Sequence, residues 1–263
     1  SRGDYLSLDR LCHACLYDGA RISGAALRRF RHNDPEHLKV LLKKDENKPG
    51  RRVVVTDSVF SMDGDRAPLG ELAKLCNGSG ALLVVDEAHA AGVLGPEGRG
   101  QAPAEGLDSQ DDLLLLGTLG KAFGVAGAYV ACTHTMRNFL INCCRSFIFS
   151  TAPPPPVMAA VSVAVEIVRA ADIKRERLRE NAIRLREQLD ELGVNTLGST
   201  TQIVPALIGE PGRAVAIAEI LRQDKIFAPA VRPPTVPAGT SRIRFSLSAA
   251  LGEEDFQRLI ESL

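Results

Sequence analysis

Short unbroken apolar runs alternate along this chain with longer segments in which apolar residues recur every three or four positions. Residues 53–55 (three valines), 82–85 and 113–116 (four leucines) are such runs. Each predicts a strand buried on both faces, as in the middle of a parallel sheet. Shorter strand candidates fall at 27–30 and 128–131. A helix is predicted to start after His13. A second has Asp34 as N-cap and Pro35 at its first position, and continues to about Lys44. A third covers 68–76, with Asn77-Gly78-Ser79-Gly80 as its stop. Strands alternating with helices predict a mainly parallel α/β sheet.

Pro153 to Pro156 punctuate the chain. They are incompatible with a helix interior or a central strand, and they precede a long helical region. In that region Leu178, Leu185, Leu189 and Leu192 share one face, Arg and Glu crowd the other, and Gly193 closes it. The run Lys174-Arg175-Glu176-Arg177 reads as solvated surface. From Gln202 the pattern restarts on a smaller scale, with strands at 203–208, 226–231 and 242–247 and helices at 212–223 and 253–263. The expected organisation is a large domain over 1–152, a connecting helical region over 153–193, and a small α+β domain over 194–263.

Composition narrows the function class. Of 263 residues, 45% are hydrophobic and 24% charged, an ordinary globular profile, and 32 basic residues balance 32 acidic ones. A chain with no net charge offers no electrostatic reason for nucleic acid or an anionic membrane as partner. No apolar run reaches the roughly 20 residues that span a bilayer. With no secretory pattern at the start, a cytoplasmic protein with reduced thiols is expected. Cys12 and Cys15 have CxxC spacing, but no second pair completes a zinc site, so no metal is expected.

Candidate chemistry collects at three strand ends: Ser61 in the polar loop after residues 53–57, Asp86 with His89, and Thr118 with Lys121. In a parallel sheet such ends share one edge, where open α/β sheets bind ligands. Singly, each has a plain reading: Lys121 a solvated loop lysine, Asp86 a helix cap, His89 a satisfied core histidine, Ser61 a turn residue. Together they suit a pyridine aldehyde. Lys121, partly desolvated and flanked by glycines, would form a Schiff base, and Asp86 would keep the ring nitrogen protonated. His89 would bond the ring hydroxyl and Thr118 the phosphate. Asp86-Glu87-Ala88-His89 also suits an ATPase metal box. The phosphate loop such enzymes need is missing around Lys121, where Leu115 stands for the first glycine and Ala122 for the Ser/Thr.

Six segments together resemble one family. They are Leu11-Cys12-His13-Ala14, Val59-Phe60-Ser61-Met62-Asp63-Gly64-Asp65, Asp86-Glu87-Ala88-His89, Gly98-Arg99-Gly100, Thr118-Leu119-Gly120-Lys121-Ala122-Phe123-Gly124, and Phe149-Ser150-Thr151 before the prolines. The chain is similar to the α-oxoamine synthases, pyridoxal-phosphate acyltransferases of the aspartate-aminotransferase fold (fold type I). The resemblance is strongest to the biotin-pathway branch, on Arg28 to Asp34 and on Val231 to Arg244. It implies that Lys121 carries pyridoxal 5'-phosphate, Asp86 pairs with the ring nitrogen, and His13 stacks on the ring. Ser61 and His89 would meet the ring's oxygen side, and Thr118 the phosphate. Thr235 and Arg244 would face substrate, with Arg244 gripping a carboxylate. Ser150 and Thr151 would reach the phosphate of a second subunit in a homodimer with shared active sites.

The implied reaction condenses L-alanine with a pimeloyl thioester, of coenzyme A or of an acyl carrier protein, with loss of carbon dioxide. The alternatives are relatives that use glycine to form aminolevulinate or 2-amino-3-oxobutyrate, or a non-catalytic fragment. The resemblance also implies that the large domain is incomplete, with an N-terminal third of the family's fold, including a phosphate-binding loop, lying ahead of His13.

Overall fold

A computed structural model describes all residues, 1–263. The chain divides into two compact units: residues 1–59 with 67–171, and residues 60–66 with 172–263. No helix is long and apolar enough to cross a membrane.

The first unit is built on a six-stranded sheet. Its strands are β1 (Tyr5–Asp9), β2 (Ala26–Phe30), β3 (Arg52–Asp57), β4 (Leu82–Asp86), β5 (Leu113–Thr118) and β6 (Ala128–Ala131), in the order β2-β1-β3-β4-β5-β6. All neighbours are parallel except β5 and β6. The connection over 119–127 is shorter than the dozen or so residues a parallel crossover needs, so β6 returns antiparallel. Gly117 allows that return: a Cβ there would stand 2.1 Å from Cζ of Tyr129.

The helices of this unit are α1 (Ala14–Ser23), α2 (Pro35–Lys44), α3 (Leu69–Ser79), α4 (Gln101–Ala104), α5 (His134–Cys143), α6 (Arg145–Ile148) and α7 (Pro155–Arg169). The α2 start is as expected: Asp34 accepts from the His37 N–H at 2.8 Å, with Pro35 in the first turn. Helix α3 runs past Asn77 and Gly78 and stops only at Gly80, whose φ of +62° is left-handed. Its buried stripe of Leu69, Leu72, Ala73 and Cys76 carries the helix through those weak formers.

Strand β1 and helices α5 and α6 have no counterpart among the sequence expectations. Ser7 and Asp9 break the apolar pattern of β1, yet both are buried. Asp9 is satisfied by the N–H groups of Leu11 (2.8 Å) and Asn33 (2.8 Å) and by the His32 ring at 3.0 Å. The proline run does enter a helix: Pro155 and Pro156 lie in the first turn of α7, where no intrahelical N–H is required.

The second unit packs α8 (Asp172–Glu191), α9 (Pro211–Gln223) and α10 (Glu253–Glu261) with an antiparallel sheet of order β7-β9-β8. Its strands are β7 (Ile203–Gly209), β8 (Ala230–Val231) and β9 (Ser241–Ser246). The strand expected over 226–231 shrinks to two residues. Pro229 has no N–H to donate, and Phe227 is exposed. Leu178, Leu185 and Leu189 are buried as their spacing predicts, whereas Leu192, beyond the end of α8, is exposed. Leu185 and Leu189 join Val204, Leu221, Ile243, Phe245 and Phe256 in one core. Leu185→Ala is expected to cost about 2–5 kcal/mol. Urea unfolding followed through this unit would measure the fall in midpoint.

Candidate active site

Backbone register sets the site. Strands β3 and β4 pair with Asp57 opposite Asp86, and β4 and β5 with Asp86 opposite Leu116. The carboxyl ends of three central strands are thus level. Asp57, Asp86 and, two residues past Leu116, Thr118 emerge along one edge. Asp86 Oδ1 accepts from the Ala88 N–H at 2.8 Å, an Asx-type turn that opens the segment bearing His89. Thr118 Oγ1 accepts from the Gly120 N–H at 3.2 Å and shapes the bend into Lys121.

Lys121 Nζ lies 2.9 Å from His89 Nε2. As an ammonium, Nζ would donate to an Nε2 that carries no proton. The pair joins two strand ends 32 residues apart in sequence. The sequence argument expected a partly desolvated lysine, but Lys121 is exposed. It sits in the glycine-bearing 119–127 turn, whose residues Gly120, Ala122 and Gly124 are exposed as well. Its side-chain neighbour is the His89 imidazole.

His13 caps α1, its Nδ1 accepting from the Cys15 N–H at 3.3 Å, with Cys15 Sγ at 3.0 Å. The His13 backbone N–H donates to Asp57 Oδ2 at 3.1 Å. Asp57 is 5% exposed and its Oδ1 has no hydrogen-bond partner. Burial first, and then the neighbouring Asp86 charge, pushes its carboxyl up to about 8. Asp57 was not among the expected site residues. The signal that singled out Asp86, a polar residue closing an apolar run, applies equally to Asp57.

Glu87, next to Asp86, is buried and holds the loop that follows. Its carboxylate accepts from the N–H groups of Gln101 (3.0 Å) and Ala102 (2.7 Å) and from Ser58 Oγ (2.8 Å). This explains the glycine at position 100: a Cβ there would come within 2.9 Å of the Glu87 carboxyl group. Gly92, at φ +84°, faces Ala122, where a Cβ would approach the Ala122 Cβ to 2.5 Å. The loop is thus packed against the residue next to Lys121. A separate apolar cleft of about 870 Å³, lined by Leu113, Leu115, Phe123, Tyr129 and Val165, contains none of the candidate residues.

Ser150 and Thr151 are exposed between α6 and α7. Ser150 Oγ donates to the Ser146 carbonyl at 2.6 Å, and no hydrogen bond joins either residue to Lys121. Ser61, Thr235 and Arg244 belong to the second unit. Ser61 is half-buried in the 60–66 segment, which is tied within that unit by the Arg242–Asp63 ion pair and by the Thr201 hydroxyl donating to the Gly64 carbonyl at 2.9 Å. Arg244 sits on β9 with its Nε buried and without a hydrogen-bond partner, and burial lowers the affinity of its guanidinium for the proton. Thr235 is exposed.

The family model for class I and II aminotransferases matches residues 1–263. The chain belongs to this family. Among its relatives, the 8-amino-7-oxononanoate synthase of Geobacter metallireducens is 48% identical over 261 residues, covering 98% of this chain and 66% of that protein. An 8-amino-7-oxononanoate synthase structure from Francisella tularensis superposes with a TM-score of 0.85 at 29% identity, over 100% of this chain and 75% of that one. A serine palmitoyltransferase from S. paucimobilis, solved with PLP–myriocin bound, gives a TM-score of 0.92 at 32% identity, over 100% of this chain and 66% of that one. These relatives are α-oxoamine synthases, acyltransferase-type enzymes of fold type I that use pyridoxal phosphate, and this aminotransferase-family chain shares that fold. It spans about two thirds of the length of the relatives it matches.

The residues present fit that cofactor. The edge offers an amine for its aldehyde, an imidazole in contact with the amine, a carboxylate for its ring nitrogen, and a hydroxyl for its phosphate. Burial and the neighbouring Asp86 favour the protonated form of a second carboxyl at this edge, Asp57, whose Oδ1 is buried without a hydrogen-bond partner. That has a pH consequence. The unfolded chain releases the Asp57 proton near its ordinary value of 3.8, whereas the folded chain keeps it until about 8. The stability this contributes is complete below about pH 4 and is lost as pH rises towards 8. Asp57→Asn is expected to flatten the decline. Urea midpoints at pH 5 and pH 8.5 check this, and equal slopes in the two proteins would contradict it.

Proposed function

We propose that this chain carries the catalytic lysine and the ring-binding residues of an 8-amino-7-oxononanoate synthase of biotin biosynthesis. The reaction is the decarboxylating condensation of L-alanine with a pimeloyl thioester. A bond forms between the alanine α-carbon and the thioester carbonyl carbon, the thiol leaves, and the alanine carboxylate departs as carbon dioxide. The observation that carries the reading is the 2.9 Å contact between Lys121 Nζ and His89 Nε2 at the sheet edge where Asp86 ends β4. The identity to synthases of this name over nearly the whole chain supports it.

Pyridoxal phosphate, when bound, supplies an aldehyde for the amino group and a ring that withdraws electrons from the α-carbon. Lys121 would hold it, and once displaced by the substrate amine its Nζ would take the α-proton of alanine and later return a proton. His89, in contact with Nζ, would share that proton and orient the amine. The Asp86 carboxylate would keep the ring nitrogen protonated. His13 would stack on the ring, Thr118 would donate to the phosphate, and Ser61 with His89 would face the ring oxygen. Arg244 would grip the alanine carboxylate in a bidentate pair, which would also satisfy its orphaned Nε. Thr235 would line the acyl side.

The reading extends to a cytoplasmic homodimer in which Ser150 and Thr151 serve the neighbouring subunit's phosphate, with coenzyme A or an acyl carrier protein delivering the acyl group. An α-oxoamine synthase of different substrate choice is the second reading, favoured by the fold match to serine palmitoyltransferase. Borohydride reduction of the cofactor-loaded protein is expected to fix the label on Lys121, and peptide mass spectrometry would locate it. Label on another lysine overturns the assignment. Assays of alanine against glycine and serine, each with pimeloyl, succinyl and acetyl thioesters, separate the two readings.

A further inference from the structure

We propose that Asp57 is a positioning residue for His13, its carboxyl seating the His13 backbone at the carboxyl end of β3 beside Asp86. The proposal rests on the reading of His13 and Asp86 as ring-binding residues and adds the group that sets their spacing.

Three features of the geometry carry it. First, His13 is held from two directions. Its ring nitrogen Nδ1 belongs to the cap of α1, which fixes the imidazole relative to the helix. Its backbone N–H donates to Asp57 Oδ2 at 3.1 Å, across 44 residues of sequence, which fixes the helix start relative to the sheet. Second, the preceding residue is attached to the same strand. Cys12 is buried, and its Sγ meets the Val55 carbonyl at 3.5 Å. The 12–13 segment is therefore stitched along β3, with Asp57 as the final stitch. Third, Asp57 stands in register with Asp86 on the neighbouring strand. A single side chain thus references the stacking histidine to the strand that presents the ring-nitrogen carboxylate.

The charge state suits a brace. The groups facing Asp57 are Asp86 on β4, Asp9 on β1, the backbone N–H of His13, and Lys121 beyond β5. Burial and the two aspartates favour the protonated carboxyl, while the N–H and Lys121 oppose it. With the proton retained, Oδ2 can still accept from His13 as a carbonyl-like oxygen. A charged Asp57 would instead compete with Asp86 for the ring's proton. What the brace needs is the accepting oxygen, and an amide is the closest mimic of the neutral carboxyl.

The test compares Asp57→Ala with Asp57→Asn. Solvent exchange of the His13 amide is followed by NMR in the cofactor-free protein, and pyridoxal phosphate affinity by absorbance titration. Losing one buried hydrogen bond corresponds to about a tenfold change. Asp57→Ala is expected to speed His13 exchange and to weaken cofactor binding, each by about that factor. Asp57→Asn, which keeps the accepting oxygen, is expected to leave both within about threefold of the parent. Unchanged His13 exchange in Asp57→Ala overturns the proposal. Loss of both properties in Asp57→Asn also overturns it, because the charge would then be what matters. If Asp57→Ala does not fold, the Asn variant decides alone. A parent protein that takes up no pyridoxal phosphate would defeat the functional reading, while the exchange measurement would still decide the role of Asp57.

Discussion

The in-register parallel pairing of β3, β4 and β5 is the constraint on which the candidate site depends. Parallel strands point the same way, so their carboxyl ends fall on one edge only if the hydrogen-bond register aligns them. Here it does: Asp57 stands against Asp86, and Asp86 against the residue two before Thr118. A slip of one residue in β4 would exchange its two faces and carry Asp86 out of line with Asp57. Buried valines and leucines on these strands oppose such a slip, because it would turn core side chains to the other face. The apolar packing of the sheet and the polar geometry of its edge are therefore one specification.

That edge also had to solve a charge problem. Two carboxyl groups on adjacent strand ends repel when both are ionised, and the inner one is almost without solvent. Burial and the Asp86 charge raise the Asp57 carboxyl towards its neutral form, and its Oδ2 accepts from a backbone N–H. Burial also raises the Glu87 carboxyl, but here two backbone N–H groups and a hydroxyl converge on it and oppose that shift, and it organises the loop that packs beside Ala122. Three acidic residues within one site thus have three environments, set by what donates to each.

Much of the first unit was legible in advance because its central strands are nearly pure apolar runs. Where polar residues served the fold, the pattern failed. Strand β1 was hidden by Ser7 and Asp9, whose burial makes sense only with His32, Leu11 and Asn33 around them. The third helix outlasted Asn77 and Gly78 because packing outweighs weak propensity. The apolar run over 226–231 yields only a two-residue strand because Pro229 carries no donor. Of the site, Lys121, His89, Asp86 and Thr118 were readable as polar punctuation after apolar runs. Asp57 ends a run in the same way, but the polar loop that follows it offers Ser61 as the more prominent candidate.

The sequence alone determined the alternation of strand and helix, the strand ends that carry polar chemistry, and the family, since these are local patterns repeated in order along the chain. Which polar groups meet was decided by tertiary structure. The contact of Lys121 with His89, the exposure of the lysine, the raised Asp57 carboxyl beside Asp86 and its hold on His13 depend on register and burial. Those are properties of residues 32 and 44 positions apart in sequence. No local pattern encodes them, because a carboxyl group's charge is set by the water and the donors that folding leaves around it.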